Sequence, residues 1–284
     1  MNVLSIQSWV AYGHVGNSSA MFPMQRLGCE VWGIHTVQFS NHTGYGAWKG
    51  RVFDGPMVDE IVDGIENRGV LAACDAVLSG YMGSADIGAA ILAAVTRVRA
   101  ANPAALYACD PVIGDVGRGV FVRPGIPEFM RDKAVPAADI ITPNQFELEF
   151  LAGRSTGIRA DAVAAIRAVH ALGPKVILVT SLHTEDTPSD AIDMLASDSG
   201  GMWRVRTPRL PLSVNGAGDA IAALFLVHWA RSRSAREALE RASSSVFGLL
   251  RRTAEAGSRE ILTVAAQDEF VNPTRSFAAE PVSG

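Results

Sequence analysis

Five consecutive residues late in the chain, Asn215-Gly216-Ala217-Gly218-Asp219, carry its strongest chemical signal. The apolar run Ala220–Leu226 follows them directly. The glycine pair lets the backbone approach a ligand closely. A helix starting here aims its first N–H groups into the turn, which makes an anion site. Asp219 falls in the first helical turn, where the helix dipole favours a carboxylate. A carboxylate beside an anion hole suits phosphoryl transfer to an alcohol, because it accepts the hydroxyl proton while the N–H groups stabilise the transferring group. A glycine turn with Asp219 as an ordinary N-cap fits the same residues.

Two further segments hold acids where strands should end. Cys109-Asp110-Pro111-Val112-Ile113-Gly114-Asp115 places Asp110 at the close of an apolar strand and Asp115 in the loop beyond. In Thr142-Pro143-Asn144-Gln145-Phe146-Glu147 a helix starts straight after a strand. Asn144 and Glu147 also match an N-cap with its capping-box acid, an ordinary way to begin a helix. Acids at strand ends beside a phosphate loop suit hydrated Mg²⁺, which takes carboxylates and keeps several waters. Other nucleotide and hydrolase motifs are missing. None of the three lysines, Lys49, Lys133 and Lys175, follows a glycine-rich loop. There is no dinucleotide glycine fingerprint, no H-E-x-x-H and no G-x-S-x-G.

Short apolar strands alternating with helices must position these groups. Strands are expected at Val3–Ile6, Val31–Val37, Ala76–Ser79, Leu106–Cys109, Ile140-Ile141 and Val176–Thr180. Helices are expected at Asn17–Leu27, Pro56–Asn67, Ala85–Ala101, Gln145–Ala152, Arg159–Leu172, Asp219–Ala230 and Ala235–Thr253. This alternation implies βαβ units and a mostly parallel sheet covered on both faces. Ligands of such sheets collect at the carboxyl ends of the strands. That rule selects the segments after Ile6, Val37 and Cys109 and the loop ahead of Asp219. With 284 residues, no visible repeat and no linker, the chain reads as one α/β domain, with a poorly ordered polar tail after about residue 271.

Composition narrows the function classes. The net charge of −4 argues against a nucleic-acid partner. The longest apolar run, Ala220–Trp229, falls well short of the roughly 20 residues a membrane span takes. Cys29, Cys74 and Cys109 match neither a disulfide framework nor a zinc spacing. Together with an opening segment unlike a signal peptide, they make a reducing cytoplasm the expectation.

The blocks Ser5-Ile6-Gln7-Ser8, Tyr12-Gly13-His14-Val15-Gly16-Asn17, Val37-Gln38-Phe39-Ser40-Asn41-His42-Thr43-Gly44-Tyr45, Leu78-Ser79-Gly80-Tyr81 and Asp139–Glu147, with the Gly216–Asp219 turn, resemble the ribokinase-like superfamily. Within it they closely resemble the pyridoxal kinase family, from Val3 to about Pro273. The Gln38-to-Tyr45 block is highly specific. The resemblance implies a three-layer α/β/α sandwich, a single kinase domain and a homodimer. It implies ATP-dependent phosphorylation of the 5′-hydroxymethyl group of pyridoxal, with pyridoxine and pyridoxamine as related acceptors. Mg²⁺ is expected with ATP, and a monovalent cation such as K⁺ assists family members.

By resemblance, Asp219 matches the general base, and Gly216, Ala217 and Gly218 the anion hole. Ser8 matches the hydroxyl that contacts the pyridine ring, and Thr43, Gly44 and Tyr81 line the ring pocket with His42 close by. Asp110, Asp115, Thr142, Asn144 and Glu147 match positions around the phosphates, with Asp110, Asp115 and Glu147 holding Mg²⁺ partly through water. Thr180 and Ser181 match a nucleotide-contacting strand end. Tyr81 as a core aromatic and His42 as a loop-capping imidazole are the plainer readings of those two residues. The chain departs from the pattern twice. Thr180 stands where many bacterial members carry lysine, and Arg206–Val214, at the expected adenine pocket, looks shorter than in several relatives. The rival readings are a hydroxymethylpyrimidine or sugar kinase of the same superfamily and a non-catalytic vitamer-binding protein.

Overall fold

A computed structural model of the chain describes residues 1–282. In chain order its strands are β1 (Asn2–Val10), β2 (Glu30–Phe39), β3 (Gly50–Val52), β4 (Ala76–Ser79), β5 (Leu106–Cys109), β6 (Gly114–Asp115), β7 (Gly119–Val120), β8 (Ile140–Ile141), β9 (Val176–Leu182), β10 (Ala191–Asp198), β11 (Gly201–Pro208) and β12 (Glu280–Pro281). Its helices are α1 (Asn17–Arg26), α2 (Gly55–Glu66), α3 (Ala85–Ala101), α4 (Ile126–Phe129), α5 (Val135–Ala137), α6 (Gln145–Ala152), α7 (Arg159–His170), α8 (Ala217–Ser232) and α9 (Ala235–Glu255). Among the described residues, ten strands form one sheet in the order β12-β11-β10-β9-β8-β5-β4-β1-β2-β3, and β6 and β7 form a separate small hairpin. The sheet is parallel from β2 to β9. It turns antiparallel at both edges, through β3 on one side and β10–β12 on the other.

Successive side chains of a strand point to opposite faces, and this period builds the three layers. Leu4 and Ile6 of β1, Val77 of β4, and Ile177 and Val179 of β9 pack with Val58 of α2, Ile91 of α3, Leu148 of α6 and Ile166 of α7. Their neighbours Val3, Leu78, Val176 and Leu178 join the opposite core, with Met24 of α1, Leu224 of α8 and Leu239 of α9. Helix α8 is buried continuously from Ala220 to His228, because it lies against both α1 and α9. An apolar helix buried on several sides needs no polar face.

The expected parallel strands and all the expected helices are present, with ends shifted by a few residues. The antiparallel pair β10–β11 was not anticipated. These strands mix Asp193, Arg204, Arg206 and Thr207 into their apolar pattern, which masks the strand signal. The segment after Val271, expected to be poorly ordered, is instead held against the body. Phe277 N–H donates to Ser244 Oγ at 3.1 Å, Ala279 N–H donates to Glu240 Oε1 at 2.9 Å, and β12 pairs with β11. Ser283 and Gly284 lie outside the described residues. Among the described residues, no helix is long and apolar enough to cross a membrane.

The carboxyl ends of the parallel strands open on one edge, and a buried asparagine ties that edge together. Asn17, the first residue of α1, accepts from Ser5 Oγ at 2.7 Å and donates to the carbonyls of Ser5 (3.2 Å) and Ile34 (2.9 Å). It thereby fixes α1 to both β1 and β2. Asn17→Ala leaves several buried polar groups unpaired, so a loss of at least about 1–3 kcal/mol is expected from the desolvation of such groups. A urea unfolding midpoint within error of wild type would refute this role.

Candidate active site

Gly216 caps the start of α8 at φ +90°, in the left-handed region. A Cβ there would lie 1.8 Å from the His14 carbonyl oxygen, so the turn is docked directly on the β1–α1 loop. Ser19 Oγ donates to the Gly216 carbonyl at 2.7 Å and fixes the same contact. No side chain caps α8, which leaves its first N–H groups free for a ligand. Beyond its chain neighbours and the backbone of its own helix, nothing lies within 4 Å of where a Gly218 Cβ would point. This is the geometry of an anion cradle.

Asp219 is the third residue of α8 and not its N-cap, so the plainer reading of that residue does not hold. The half-buried carboxyl accepts from the Gly16 N–H, which brings the first glycine loop to it. Burial pushes its pKa up to about 6, against the hydrogen bonds from Gly16 and its own N–H. A carboxylate with a pKa close to the working pH makes an effective proton acceptor.

Asp110, at the end of β5, is 7% exposed. Burial raises its pKa, the Asp219 charge raises it further, and the Thr142 hydroxyl opposes both by donating to Oδ1 at 2.9 Å. Glu147 is 4% exposed and its pKa is held well above the ordinary carboxylate value, by burial first and by Asp110 second. Its oxygens accept from the backbone N–H groups of Ile113 (2.9 Å) and Asn144 (2.9 Å). Asn144 Oδ1 accepts the Glu147 N–H in return, completing a capping box, and Asn144 Nδ2 donates to the Gly114 carbonyl at 2.8 Å. Both residues therefore brace the β6–β7 hairpin. Asp115, on that hairpin, accepts from Val116 N–H at 2.8 Å. Among the described residues, no three His, Cys, Asp or Glu side chains gather as a ready metal-ligand cluster. Of the three acids expected at a cation, Glu147 has both oxygens bonded within the protein, whereas Asp110 and Asp115 each use only Oδ1 and keep Oδ2 for a ligand.

At the end of β9, Thr180 N–H donates to the Pro143 carbonyl at 2.9 Å. Ser181 adopts φ +53°, a strained conformation for a non-glycine residue at a strand end. Arg206 grips Asp193 through Nε and Nη2, both at 2.7 Å.

On the other side of the cradle, Ser8 is 6% exposed beneath Gly16, where a Cβ would come within 2.3 Å of the Ser8 hydroxyl. Half-buried Tyr81 packs on Val10, Val37 and Phe39. Burial raises the pKa of its phenol, against the nearby charge of Arg123. Thr43 and Gly44 form an exposed turn with Tyr45. His42 does more than cap its own loop, because its Nε2 bonds Glu260 Oε1 at 3.0 Å and its Nδ1 faces Asn215 Nδ2 at 3.4 Å. Sequence reasoning passed over Glu260 and gave Asn215 no role of its own. Glu260 lies 218 positions from His42, in a segment with no motif, so no local signal marks it. A cavity of about 790 Å³ between α9 and the C-terminal segment, lined by His228, Arg241 and Phe270 among others, shares no residue with this site.

The comparisons with known proteins agree with this geometry. A family model described as phosphomethylpyrimidine kinase matches residues 60–264, which places the chain in that class of kinases. The curated pyridoxal kinase PdxY of Granulibacter bethesdensis is 63% identical over 284 residues, covering 99% of both chains. That of Deinococcus radiodurans is 57% identical, covering 99% of this chain and 96% of its own. The chain belongs to the pyridoxal kinase family. Its fold matches the pyridoxal kinase from Leishmania donovani, solved in complex with ADP and pyridoxamine, with a TM-score of 0.91, 31% identity and 99% of both chains covered.

The crowded carboxylates generate a pH dependence. The folded pKa of Asp219, about 6, lies above its ordinary value of 3.8, and that of Asp110 is also raised. Over this interval the folded state holds protons that the unfolded chain has released. Their stabilisation is complete below the ordinary carboxylate range and is lost as pH rises through the folded values. Asp110→Asn removes one repelling charge. Without ligand or divalent cation, it should raise the melting temperature at pH 8 by a few degrees, and the gain should shrink towards pH 4.5. Equal shifts at both pH values would contradict the repulsion.

Proposed function

We propose that the protein transfers the γ-phosphoryl group of ATP to the 5′-hydroxyl of pyridoxal, with Asp219 as general base and the Gly216-Ala217-Gly218 turn as anion hole. The observation that carries this reading is the uncapped first turn of α8, with the raised-pKa carboxylate of Asp219 inside it. The names of the relatives and the ADP and pyridoxamine complex of the Leishmania enzyme support it. The hydroxyl oxygen forms a bond to the γ-phosphorus, its proton passes to Asp219, and the bond to the β–γ bridging oxygen breaks with its electron pair leaving on ADP. Position and fixed dipoles supply most of the acceleration.

Ser8, His42, Thr43, Gly44 and Tyr81 form the acceptor side, where an apolar wall with a few polar groups suits a flat pyridine ring. Thr142, Asn144, Thr180 and Ser181 border the nucleotide side. The fit of a divalent cation rests on the donor set: a buried carboxylate with a raised pKa, beside a second, needs a positive charge to ionise cleanly. Asp110 would hold Mg²⁺, with Glu147 behind it and Asp115 from the hairpin, partly through water. Bound there, Mg²⁺ would neutralise charge on the phosphates. The homodimer, the cytoplasmic location and the assisting monovalent cation rest on the family resemblance.

Incubation with ATP, Mg²⁺ and, in parallel, pyridoxal, pyridoxine or hydroxymethylpyrimidine tests the reading. Pyridoxal 5′-phosphate is the expected product. Turnover of another alcohol alone would keep the Asp219 chemistry and overturn the acceptor assignment. Asp219→Asn should lower kcat by about 10²–10⁴-fold, the usual range for a general base. Pyridoxal binding, read by fluorescence titration, should change little. Full turnover by that variant would remove Asp219 from its role.

A further inference from the structure

Glu260 follows α9 and belongs to no helix or strand, yet it is only 8% exposed. Its carboxylate collects donors from two loops distant in sequence. Oε1 accepts from His42 Nε2 at 3.0 Å and from the Tyr45 hydroxyl at 2.7 Å, and Oε2 accepts from the His14 N–H at 3.3 Å. Gly13 makes room for it, since a Cβ there would lie 2.1 Å from Oε2 and φ is +86°. With Nε2 bonded to the Glu260 carboxylate, the His42 ring turns Nδ1 away from it. Asn215 Nδ2 stands 3.4 Å from that atom, and Asn215 directly precedes the anion-hole glycine. The Tyr45 ring lies 4.7 Å from His42, with the Arg259 guanidinium 4.7 Å from its centre. The bond to Glu260 pushes the Tyr45 phenol up to about 12, so it stays a donor at any working pH.

We propose that Glu260 is a positioning residue, which locks the His42–Tyr45 loop, the His14 turn and the Asn215–Gly218 turn into one register. The proposal rests on the kinase reading above. The acceptor ring is held by one of these segments and the phosphoryl group by another, so their register sets the approach of the hydroxyl to Asp219. The role needs a carboxylate. Three donors converge on Glu260, and an amide in its place would turn an NH₂ towards at least one of them.

Steady-state kinetics of the full chain test this, with wild type, Glu260→Gln, Tyr45→Phe and the double variant assayed together. Glu260→Gln should lower kcat/KM for pyridoxal about ten-fold or more, the scale of a lost hydrogen bond to a charged group. KM for ATP should stay within about two-fold and the melting temperature within a few degrees, because Thr142, Asn144, Thr180 and Ser181 at the nucleotide, and the core, make no contact with Glu260. Tyr45→Phe should shift the pyridoxal parameters in the same direction, and the double variant should be no worse than Glu260→Gln, because both changes remove one clamp. Unchanged pyridoxal kinetics, equal loss towards ATP, or additive effects would overturn the positioning role while leaving the kinase reading intact. A wild type that phosphorylates no vitamer would overturn that reading, and the proposal with it. If Glu260→Gln does not fold, Tyr45→Phe decides by the same split between pyridoxal and ATP.

Discussion

Carboxylates taken out of water, with repulsion between neighbours adding to the cost, dominate the reactive edge of this protein. Asp110, Glu147 and Asp219 come together at the carboxyl end of the sheet, and burial raises the pKa of all three. An apolar replacement would relieve the repulsion, yet each acid is instead held by donors from another element. Thr142 serves Asp110, the N–H groups of Ile113 and Asn144 serve Glu147, and the N–H of Gly16 serves Asp219. These bonds fix the geometry and leave the charge uncompensated. A fold that retains such an arrangement is preorganised for positive charge and a phosphate, in line with the stability that active sites commonly give up for function.

The same edge explains why the glycine loops are so closely packed. Gly216 touches the His14 carbonyl, Gly13 touches Glu260, and Gly16 covers Ser8 and donates to Asp219. The loop after β1 thus packs against both Ser8, on the proposed acceptor side, and the Gly216 turn. Glu260 holds that loop from a third direction. In the proposed reaction, the alignment of phosphoryl donor and acceptor would rest on these loop contacts.

Much of this was legible in the sequence because its causes are local. The continuous apolar run Val176–Val179, which marks a strand buried on both faces, and the apolar helix after Asp219 place the layers, and the Asn144–Glu147 capping box starts α6 where its spacing says. Glu147 caps the helix as its spacing says and supports the hairpin with the same carboxylate. What stayed hidden depends on tertiary contact. Glu260 has no motif around it, and its partners are assembled only by the fold. The strands β10 and β11 carry charged residues that pair across the sheet, as Arg206 does with Asp193, so their pattern reads as polar loop. The C-terminal segment looks loose by composition, but Glu269 is buried beneath it and accepts from Thr274, which anchors its start.

Proton release on ligand binding tests the central role of the carboxylates most directly. Calorimetric titration of Mg²⁺·ATP into the ligand-free protein, in buffers of different ionisation enthalpy, counts the protons that leave. A cation at a carboxylate with a raised pKa must displace its proton. Near pH 6 a net release is expected, falling away by pH 8.5, well above the pKa values of about 6 for Asp219 and about 7 for Asp110. Binding with no release at either pH would contradict the account.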